Sequence, residues 1–161
     1  MRMKGFTQAR LCWMAAVVFL GLCNSAPADE GISSSRGQTV YVPIYSHIYS
    51  GDREHPIYLA ATLSIRNTDS KTAIKLLKVD YYDSSGQLIR HYTDAPVVLG
   101  AMSSTRYIIK ESDKVGGSGA NFIVQWQSDH PVNPPLIESV MISTKSQSGV
   151  SFTSRGQVIH K

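Results

Sequence analysis

Cysteine is almost absent from this sequence of 161 residues, and the two that occur, Cys12 and Cys23, both lie near its start. From residue 24 onward there is no thiol. Disulfide bonds, cysteine nucleophiles and thiolate metal ligands are therefore excluded from the rest of the chain. A domain formed there must be held by its hydrophobic core, and a chain of this length can bury one without covalent links.

Long hydrophobic runs are also lacking. Residues 11–22, LCWMAAVVFLGL, form an uncharged run of twelve, which is too short to span a bilayer as a permanent helix. Behind this run, Ala26-Pro27-Ala28 places small residues at the positions that signal peptidase reads. We therefore expect residues 1–28 to be a cleaved signal peptide, the mature chain to begin at Asp29, and the protein to be periplasmic or secreted.

A lipoprotein signal is the alternative interpretation of the same region. Cys23 follows Leu20-Gly21-Leu22, and its lipidation would anchor the protein in the bacterial envelope. The processing enzyme requires a small residue before the cysteine, and Leu22 is not small. Soluble export is therefore the prediction, and a lipid anchor at Cys23 is the alternative.

Net charge is small once the signal is removed. The whole chain has 16 basic and 12 acidic residues, but Arg2, Lys4 and Arg10 leave with the signal, so 13 basic residues remain against 12 acidic ones and the net charge is +1. This balance gives no support to nucleic acid or an anionic membrane as a partner. We expect neither a nucleic-acid partner nor a transmembrane span in the mature protein.

Helix signals are nearly absent from the mature sequence, whereas strand signals are frequent. Residues 29–38 are small and polar and are predicted to be a flexible lead-in to a single domain over residues 39–161. Residues 59–67 alternate between apolar and polar side chains, which is the period of a half-buried strand. Similar short runs begin near residues 39, 87, 103, 120, 136 and 149. About eight short strands joined by turns predict an all-β fold, an antiparallel immunoglobulin-like β-sandwich.

Two strand assignments rest on side-chain parity. In residues 73–83 the large aliphatic side chains occupy even positions up to Leu76 and odd positions from Leu77 onward. This change of parity fits either a short helix or a bulged strand. The turn sequence at residues 83–86 favours the strand. Trp126 shares the parity of Phe122 and Val124, so it is predicted to anchor the core.

Motifs of catalysis are missing as well. Residues 114–122 are glycine-rich, but they lead into a strand and do not end in the Lys-Ser or Lys-Thr of a phosphate loop. A tight turn, with the glycines supplying positive φ, is the interpretation. The acid pairs Asp52 with Glu54 and Glu111 with Asp113 occupy turn-like positions and are expected to be solvated. We expect a protein that is not an enzyme and needs no cofactor.

The densest group of chemically capable side chains is YSHIYSGDREHPIY, residues 45–58. Tyr45, His47 and Tyr49 alternate, so an extended segment would place them on one face, either as core or as an aromatic platform for a sugar or peptide. His47 and His55 flank a possible turn, and a hairpin that brought their imidazoles together would suit zinc or copper. The alternatives stay open, because one sequence cannot show which face is buried.

Five blocks of the sequence resemble a known family. In order they are YVPIYSHIYSG, LAATLSIRNTD, KVDYYDSSGQLIRHY, GGSGANFIVQW and LIESVMISTKSQSGVSFTSRGQVI. Together they are similar to the bacterial domain of unknown function 3124 family over nearly all of residues 38–159. The resemblance implies a small exported bacterial protein without an established activity, and it supplies no catalytic residues. It marks six positions as the first to test: Tyr45, His47, Tyr49, Ser118, Gly119 and Asn121.

The sequence thus predicts a non-catalytic binding or envelope-associated module whose partner is an envelope protein, a peptide or a glycan. Because loops of a β-sandwich gather at its ends, we expect Tyr45, His47 and Tyr49 to form one wall of a site. The floor would be the backbone of residues 117–121, with Gly117 and Gly119 admitting a ligand and Ser118 and Asn121 offering hydrogen bonds. The alternatives are a metal-binding protein using His47, His55 and also His91 or His130, and a small carboxylate-dependent hydrolase.

Overall fold

The computed structural model describes residues 33–143 and 149–160, and within them the chain is all-β. The proposed signal peptide, its cleavage site and Cys23 lie outside the described residues. Twelve strands follow one another along the chain: β1 Ser35–Pro43, β2 His47–Ser50, β3 His55–Tyr58, β4 Ala60–Arg66, β5 Ile74–Tyr82, β6 Leu88–His91, β7 Val97–Leu99, β8 Ser104–Ile109, β9 Asn121–Val132, β10 Leu136–Ser143, β11 Val150–Arg155 and β12 Gln157–His160.

The strands form two larger sheets and a hairpin, and all their pairings are antiparallel. The six-stranded sheet has the order β12-β1-β9-β5-β6, with β7 also paired to β5. The four-stranded sheet has the order β11-β10-β4-β8, and β2 pairs with β3 in the hairpin. The chain changes sheet between β1 and β4 through this hairpin, and between β11 and β12 through Gly156.

One hydrophobic core is shared by the two larger sheets. It forms because alternate residues of each strand point to the same side, so each sheet has one apolar face to bury. The six-stranded sheet contributes Val40, Val42, Ile74, Leu76, Val79, Tyr81, Leu99, Phe122, Val124 and Trp126, and the four-stranded sheet contributes Ala61, Leu63, Ile65, Ile109, Ile137 and Met141. The Ser139 hydroxyl of β10 donates to the Pro43 carbonyl of β1 at 2.5 Å, which links the sheets across this core.

A β-bulge explains the change of parity in residues 73–83. Strand β5 buries Ile74 and Leu76 before the change and Val79 and Tyr81 after it. Its register with β9 shifts between Leu76 and Lys78. An extra residue at this point keeps the apolar side chains before and after it on the core side. The strand interpretation of this run is confirmed.

The strand count and one boundary differ from the sequence expectation. Strand β1 begins at Ser35 rather than Thr39, because residues 35–38 already pair with β9. The predicted lead-in therefore ends earlier than residue 38. Strands β2, β3, β7 and β12 have three or four residues each and were not separated by the sequence patterns. Runs this short contain too few alternations to define a period.

We expect Trp126→Ala to lower the free energy of unfolding by about 3–5 kcal/mol, since Trp126 is 1% exposed and its loss leaves a large cavity. Trp126→Phe should cost clearly less. The phenyl ring fills most of the space, and the indole Nε1 that it removes is buried without a hydrogen-bond partner among the described residues. Denaturant unfolding of the three proteins measures both differences. Equal stability of wild type and the alanine variant would contradict burial of the indole.

Candidate functional site

The structure brings together the two segments that the sequence singled out. The backbone N–H of Ile44 donates to the Ala120 carbonyl at 3.0 Å, and the N–H of Ser46 donates to the Gly117 carbonyl at the same distance. These bonds hold the start of the tyrosine and histidine segment against the glycine-rich turn. The two segments therefore lie at the same end of the domain, although about seventy residues separate them.

The register of the β2–β3 hairpin decides which of its faces is exposed. His47 is opposite Tyr58, and Ile48 is opposite Ile57. Ile48 and Ile57 pack against the core, so the face that carries His47, Tyr49 and Tyr58 points away from it. Tyr49 is 53% exposed.

Three rings and one cation form a compact group on this outer face, which we call the hairpin cluster: His47, Tyr49, Tyr58 and Lys114. The His47 ring meets Tyr49 edge-on at 5.1 Å and Tyr58 at 6.0 Å between centroids. The Lys114 Nζ lies 3.9 Å from the centre of the Tyr58 ring, in a cation–π contact. Tyr58 and Lys114 were not among the predicted site residues. The sequence signal for Tyr58 was its position at the end of the same stretch rich in tyrosine and histidine, residues 45–58.

His47 is half-buried and is held by its neighbours. Its Nε2 lies 3.0 Å from the Tyr49 hydroxyl, and its Nδ1 is buried with no hydrogen-bond partner among the described residues. Tyr45 turns away from the cluster and packs edge-on against Phe152 of β11, with 5.6 Å between centroids. Of the three side chains expected to form one wall, Tyr49 is the exposed one.

The glycine-rich turn is shaped by side chains of the protein itself. A Cβ at Gly116 would overlap the Tyr81 hydroxyl, and one at Gly117 would lie 2.5 Å from the Ser84 Oγ. The Ser84 hydroxyl donates to the Gly116 carbonyl and accepts from the Gly119 N–H, each at 2.9 Å. Within residues 114–122, Gly117 is the one glycine with positive φ, at 80°. Tyr81 and Ser84 thus occupy the space that side chains at Gly116 and Gly117 would need.

Ser118 and Asn121 occupy different surroundings. Ser118 is half-buried within the turn, between Gly117 and Gly119. Asn121 begins β9 and lies between Pro43 of β1 and Tyr82 of β5 in the six-stranded sheet. The residues expected to form the floor of the site, 117–121, therefore belong partly to the glycine-rich turn and partly to the six-stranded sheet.

The hairpin register separates the two histidines of the metal hypothesis. His55 is opposite Ser50, on the face of Ile48 and Ile57, whereas His47 lies on the other face. His47 is three residues from Ser50, the partner of His55, and residues an odd number apart in one strand point to opposite sides, so the two imidazoles do not converge. In the described parts of the chain, no group of three or more histidine, cysteine, aspartate or glutamate side chains is close enough to hold a metal ion.

The acids of the two pairs lie in different surroundings. Asp52 and Glu54 are exposed in the turn between β2 and β3. Asp113 lies 3.4 Å from the Arg90 guanidinium and accepts a bond from the Val115 N–H at 3.3 Å. A carboxylate fixed in this way is suited to holding a loop.

Sequence comparison gives the family. Residues 37–159 match the family described as protein of unknown function (DUF3124). The chain belongs to this family. The resemblance seen in the five sequence blocks is thereby confirmed.

Other comparisons of this DUF3124 domain add no function. It is similar to the crystal structure of Thermotoga maritima 1070, with 15% identity, coverage of 74% of this chain and 92% of that chain, and a TM-score of 0.43. None of the curated proteins matches. Over residues 33–143 and 149–160, the DUF3124 domain has no helix of the length and apolar character needed to cross a membrane.

A buried aspartate with two exposed partners lies on the outer face of the six-stranded sheet and was missed by the sequence reasoning. Asp80 is 1% exposed, and its carboxylate lies 2.9 Å from the Lys78 Nζ and 2.8 Å from the His91 Nδ1. The Tyr82 hydroxyl donates to it at 3.4 Å. Burial raises the pKa of Asp80, but the hydrogen bonds from Lys78 and His91 outweigh it and lower this pKa below its ordinary value of 3.8.

Asp80 should make the stability of the DUF3124 domain sensitive to acid. Its pKa is lower in the folded chain, so its stabilising contribution is present above the ordinary value and is lost as the pH falls below about 4. At pH 7 we expect Asp80→Asn to cost on the order of 1–3 kcal/mol, because Lys78 and His91 lose a charged acceptor. The deficit should shrink at pH 3.

Asp129→Asn is the matched control for this prediction. Asp129 pairs with Lys75 at 3.1 Å, but its side chain is 73% exposed, so the substitution should change the free energy of unfolding by less than about 0.5 kcal/mol. Denaturant unfolding at pH 7 and pH 3 gives the comparison. A deficit for Asp80→Asn that is the same at both pH values would contradict the assigned role.

Proposed function

We propose that this DUF3124 domain is an exported, non-catalytic binding module that contacts its ligand with the hairpin cluster. The ligand is an envelope protein, a peptide or a glycan. The proposal rests on one observation: the outward face of the β2–β3 hairpin displays ordered aromatic rings beside a cation. The fold that presents them is proposed to be an immunoglobulin-like β-sandwich, which is supported by two antiparallel sheets sharing one core.

The hairpin cluster is suited to binding because its rings are already ordered. The edge-on contacts of His47 with Tyr49 and Tyr58 restrict the side-chain rotations that binding would otherwise have to freeze. Aromatic rings with one exposed face bury apolar area against a sugar ring or a peptide side chain, and the tyrosine hydroxyls add hydrogen bonds. Lys114 contributes a positive charge beside these rings. Both an apolar and an acidic part of a ligand would therefore be accommodated.

His47 acts in this proposal as a positioning residue. Its Nε2 contact with the Tyr49 hydroxyl and its ring contacts with both tyrosines fix the spacing of the two rings. The backbone bonds from Ile44 and Ser46 to the glycine-rich turn hold the base of the hairpin. The glycine-rich turn supports the cluster and is not itself the ligand-binding floor.

The metal-binding and hydrolase alternatives are less well supported. His47 and His55 point to opposite faces of the hairpin. Asp113 is paired with Arg90. Neither arrangement provides the converging ligands or the facing acid and base that these chemistries need.

Export is tested by the mass of the mature protein. Cleavage after Ala28 predicts a chain that begins at Asp29 when the protein is purified from its native host. Intact-mass spectrometry and N-terminal sequencing measure this directly. A chain that begins at Cys23 and carries a diacylglycerol adduct would instead establish the lipid anchor.

Binding is tested by capture from solubilised envelope of the host on immobilised mature protein, with mass spectrometry of the retained proteins, peptides and glycans. We expect Tyr49→Ala and Tyr58→Ala each to reduce the captured amount by about tenfold, which is typical of a central aromatic contact. His47→Ala should reduce it less, because it loosens the rings without removing them. The melting temperature should change little for Tyr49→Ala, since that side chain is largely exposed.

Tyr41→Ala is the control for this binding experiment. Tyr41 is half-buried on β1, where it pairs with Ile123 in the six-stranded sheet, and it makes no ring contact with the hairpin cluster among the described residues. Its loss should leave capture unchanged. Equal capture by the wild type and the Tyr49→Ala and Tyr58→Ala variants would show that the hairpin cluster is not the contact surface.

A further inference from the structure

The outer face of the four-stranded sheet carries arginines in neighbouring rows. The registers place Arg106 of β8, Ser64 of β4, Glu138 of β10 and Arg155 of β11 in one row across the sheet. The adjacent row contains Arg66, between Ser104 and Leu136. Paired residues on neighbouring strands point to the same side, so these three arginines share the outer face.

A groove lies between two of these arginines, and we call it the arginine groove. Its volume is about 350 Å³, within the range of small-ligand sites. It is lined by Thr62, Ser64, Arg66, Ser104, Thr105, Arg106 and Val140. The lining therefore combines two guanidinium groups with several hydroxyl groups and contains no carboxylate.

Arg66 is oriented by two contacts that leave its outer nitrogens available. Its Nε donates to the Ser64 Oγ at 3.2 Å and lies 4.0 Å from the Glu138 Oε1. The side chain remains 59% exposed. The terminal N–H groups of a guanidinium fork anchored through Nε can still donate to a ligand.

Positive charge on this face exceeds what the protein itself neutralises. In residues 33–143 and 149–160, Arg106 and Arg155 have no carboxylate within ion-pair distance, and Glu138 is the one acid in the two rows. Three arginines against one glutamate leave a local charge of +2, although the mature chain has a net charge of only +1. The excess is therefore concentrated here rather than spread over the surface.

We propose that the arginine groove binds an oxyanion, namely the carboxylate or phosphate group of a ligand, between Arg66 and Arg106. Guanidinium groups donate paired hydrogen bonds to carboxylate and phosphate oxygens, and the hydroxyls of Ser104 and Thr62 supply further donors. Arg155 lies two strands beyond Ser64 in the same row, at a distance of about 10 Å by strand spacing. It can meet a second anionic group of an extended ligand.

This site is separate from the hairpin cluster. Strand β4 runs from Ala60, next to the hairpin, to Arg66 at the groove. Ala60 and Arg66 are six residues apart in an extended strand, so their backbones lie about 20 Å apart. A substitution in one site should therefore leave binding at the other unchanged, and the oxyanion proposal does not depend on the proposed function.

The test is a titration of the purified mature protein, followed by the arginine Nε–Hε resonances in NMR spectra at constant ionic strength. The probes are inorganic phosphate, citrate and polygalacturonate, which present free phosphate, free carboxylate and polymer-borne carboxylate. We expect saturable shifts of the Arg66 and Arg106 signals with at least one probe. Saturation by polygalacturonate alone would identify a polymer as the source of the anion, and saturation by citrate or phosphate would identify a free ligand.

Four variants decide whether the groove is responsible. Arg66→Gln and Arg106→Gln should each weaken binding by about tenfold or more, as expected for a lost charge-assisted hydrogen bond. Arg106→Lys should also weaken it, because lysine keeps the charge but lacks the paired donors. Arg53→Gln removes the same charge from the exposed hairpin turn and should change affinity less than twofold.

Two results would overturn the proposal. The first is the absence of a saturable shift with all three probes. The second is an equal loss of affinity in Arg53→Gln and in the groove variants, which would mean that the anions respond to overall charge. Circular dichroism of each variant checks whether the sheet is intact, and these exposed side chains should not be needed for folding.

Discussion

The buried hydroxyl of Tyr81 is the point on which the candidate binding end of the domain depends. Tyr81 is 0% exposed, its ring packs against Phe122 at 5.1 Å between centroids, and its hydroxyl lies 3.3 Å from the Ser46 Oγ. Gly116 allows the glycine-rich turn to close over the same hydroxyl. Burial raises the pKa of Tyr81, so the group stays neutral and can act as a buried hydrogen-bond partner. Three segments distant in sequence, the base of the hairpin, β5 and the glycine-rich turn, are thereby held together around one side chain.

Sequence patterns predicted the parts of the fold in which one side of a strand is buried over several residues. Strands β4, β9 and β10 alternate clearly, and parity placed Trp126 in the core. The candidate site was less accessible to such reasoning. The outward direction of Tyr49 follows from which face of a four-residue strand meets the core, and that depends on packing with distant segments. The glycines were correctly interpreted as a turn, but Gly116 is required by a neighbouring side chain rather than by positive φ. A sequence alone does not distinguish the two needs.

The two outer faces of the domain use charge in different ways. On the six-stranded sheet, the Asp80 carboxylate contacts Lys78 and His91, so its charge is balanced by groups of the protein itself. Removing a carboxylate from water is costly, and these hydrogen bonds offset that cost. On the four-stranded sheet, Arg106 and Arg155 remain solvated and have no carboxylate partner among the described residues. A charge already neutralised adds little to the recognition of a ligand, whereas a solvated one can exchange water for an anion.

The hairpin cluster and the arginine groove should gain affinity from different physical sources. The rings of His47, Tyr49 and Tyr58 restrict one another, so binding to them loses little side-chain freedom. Arginine side chains are long, and ordering them costs on the order of 1–2 kcal/mol each. Arg66 avoids part of that cost through its contact with Ser64, while Arg106 does not. Attraction at the groove is therefore mainly electrostatic and weakens as salt screens it, whereas contact with the aromatic rings depends on buried apolar area and is far less sensitive to salt.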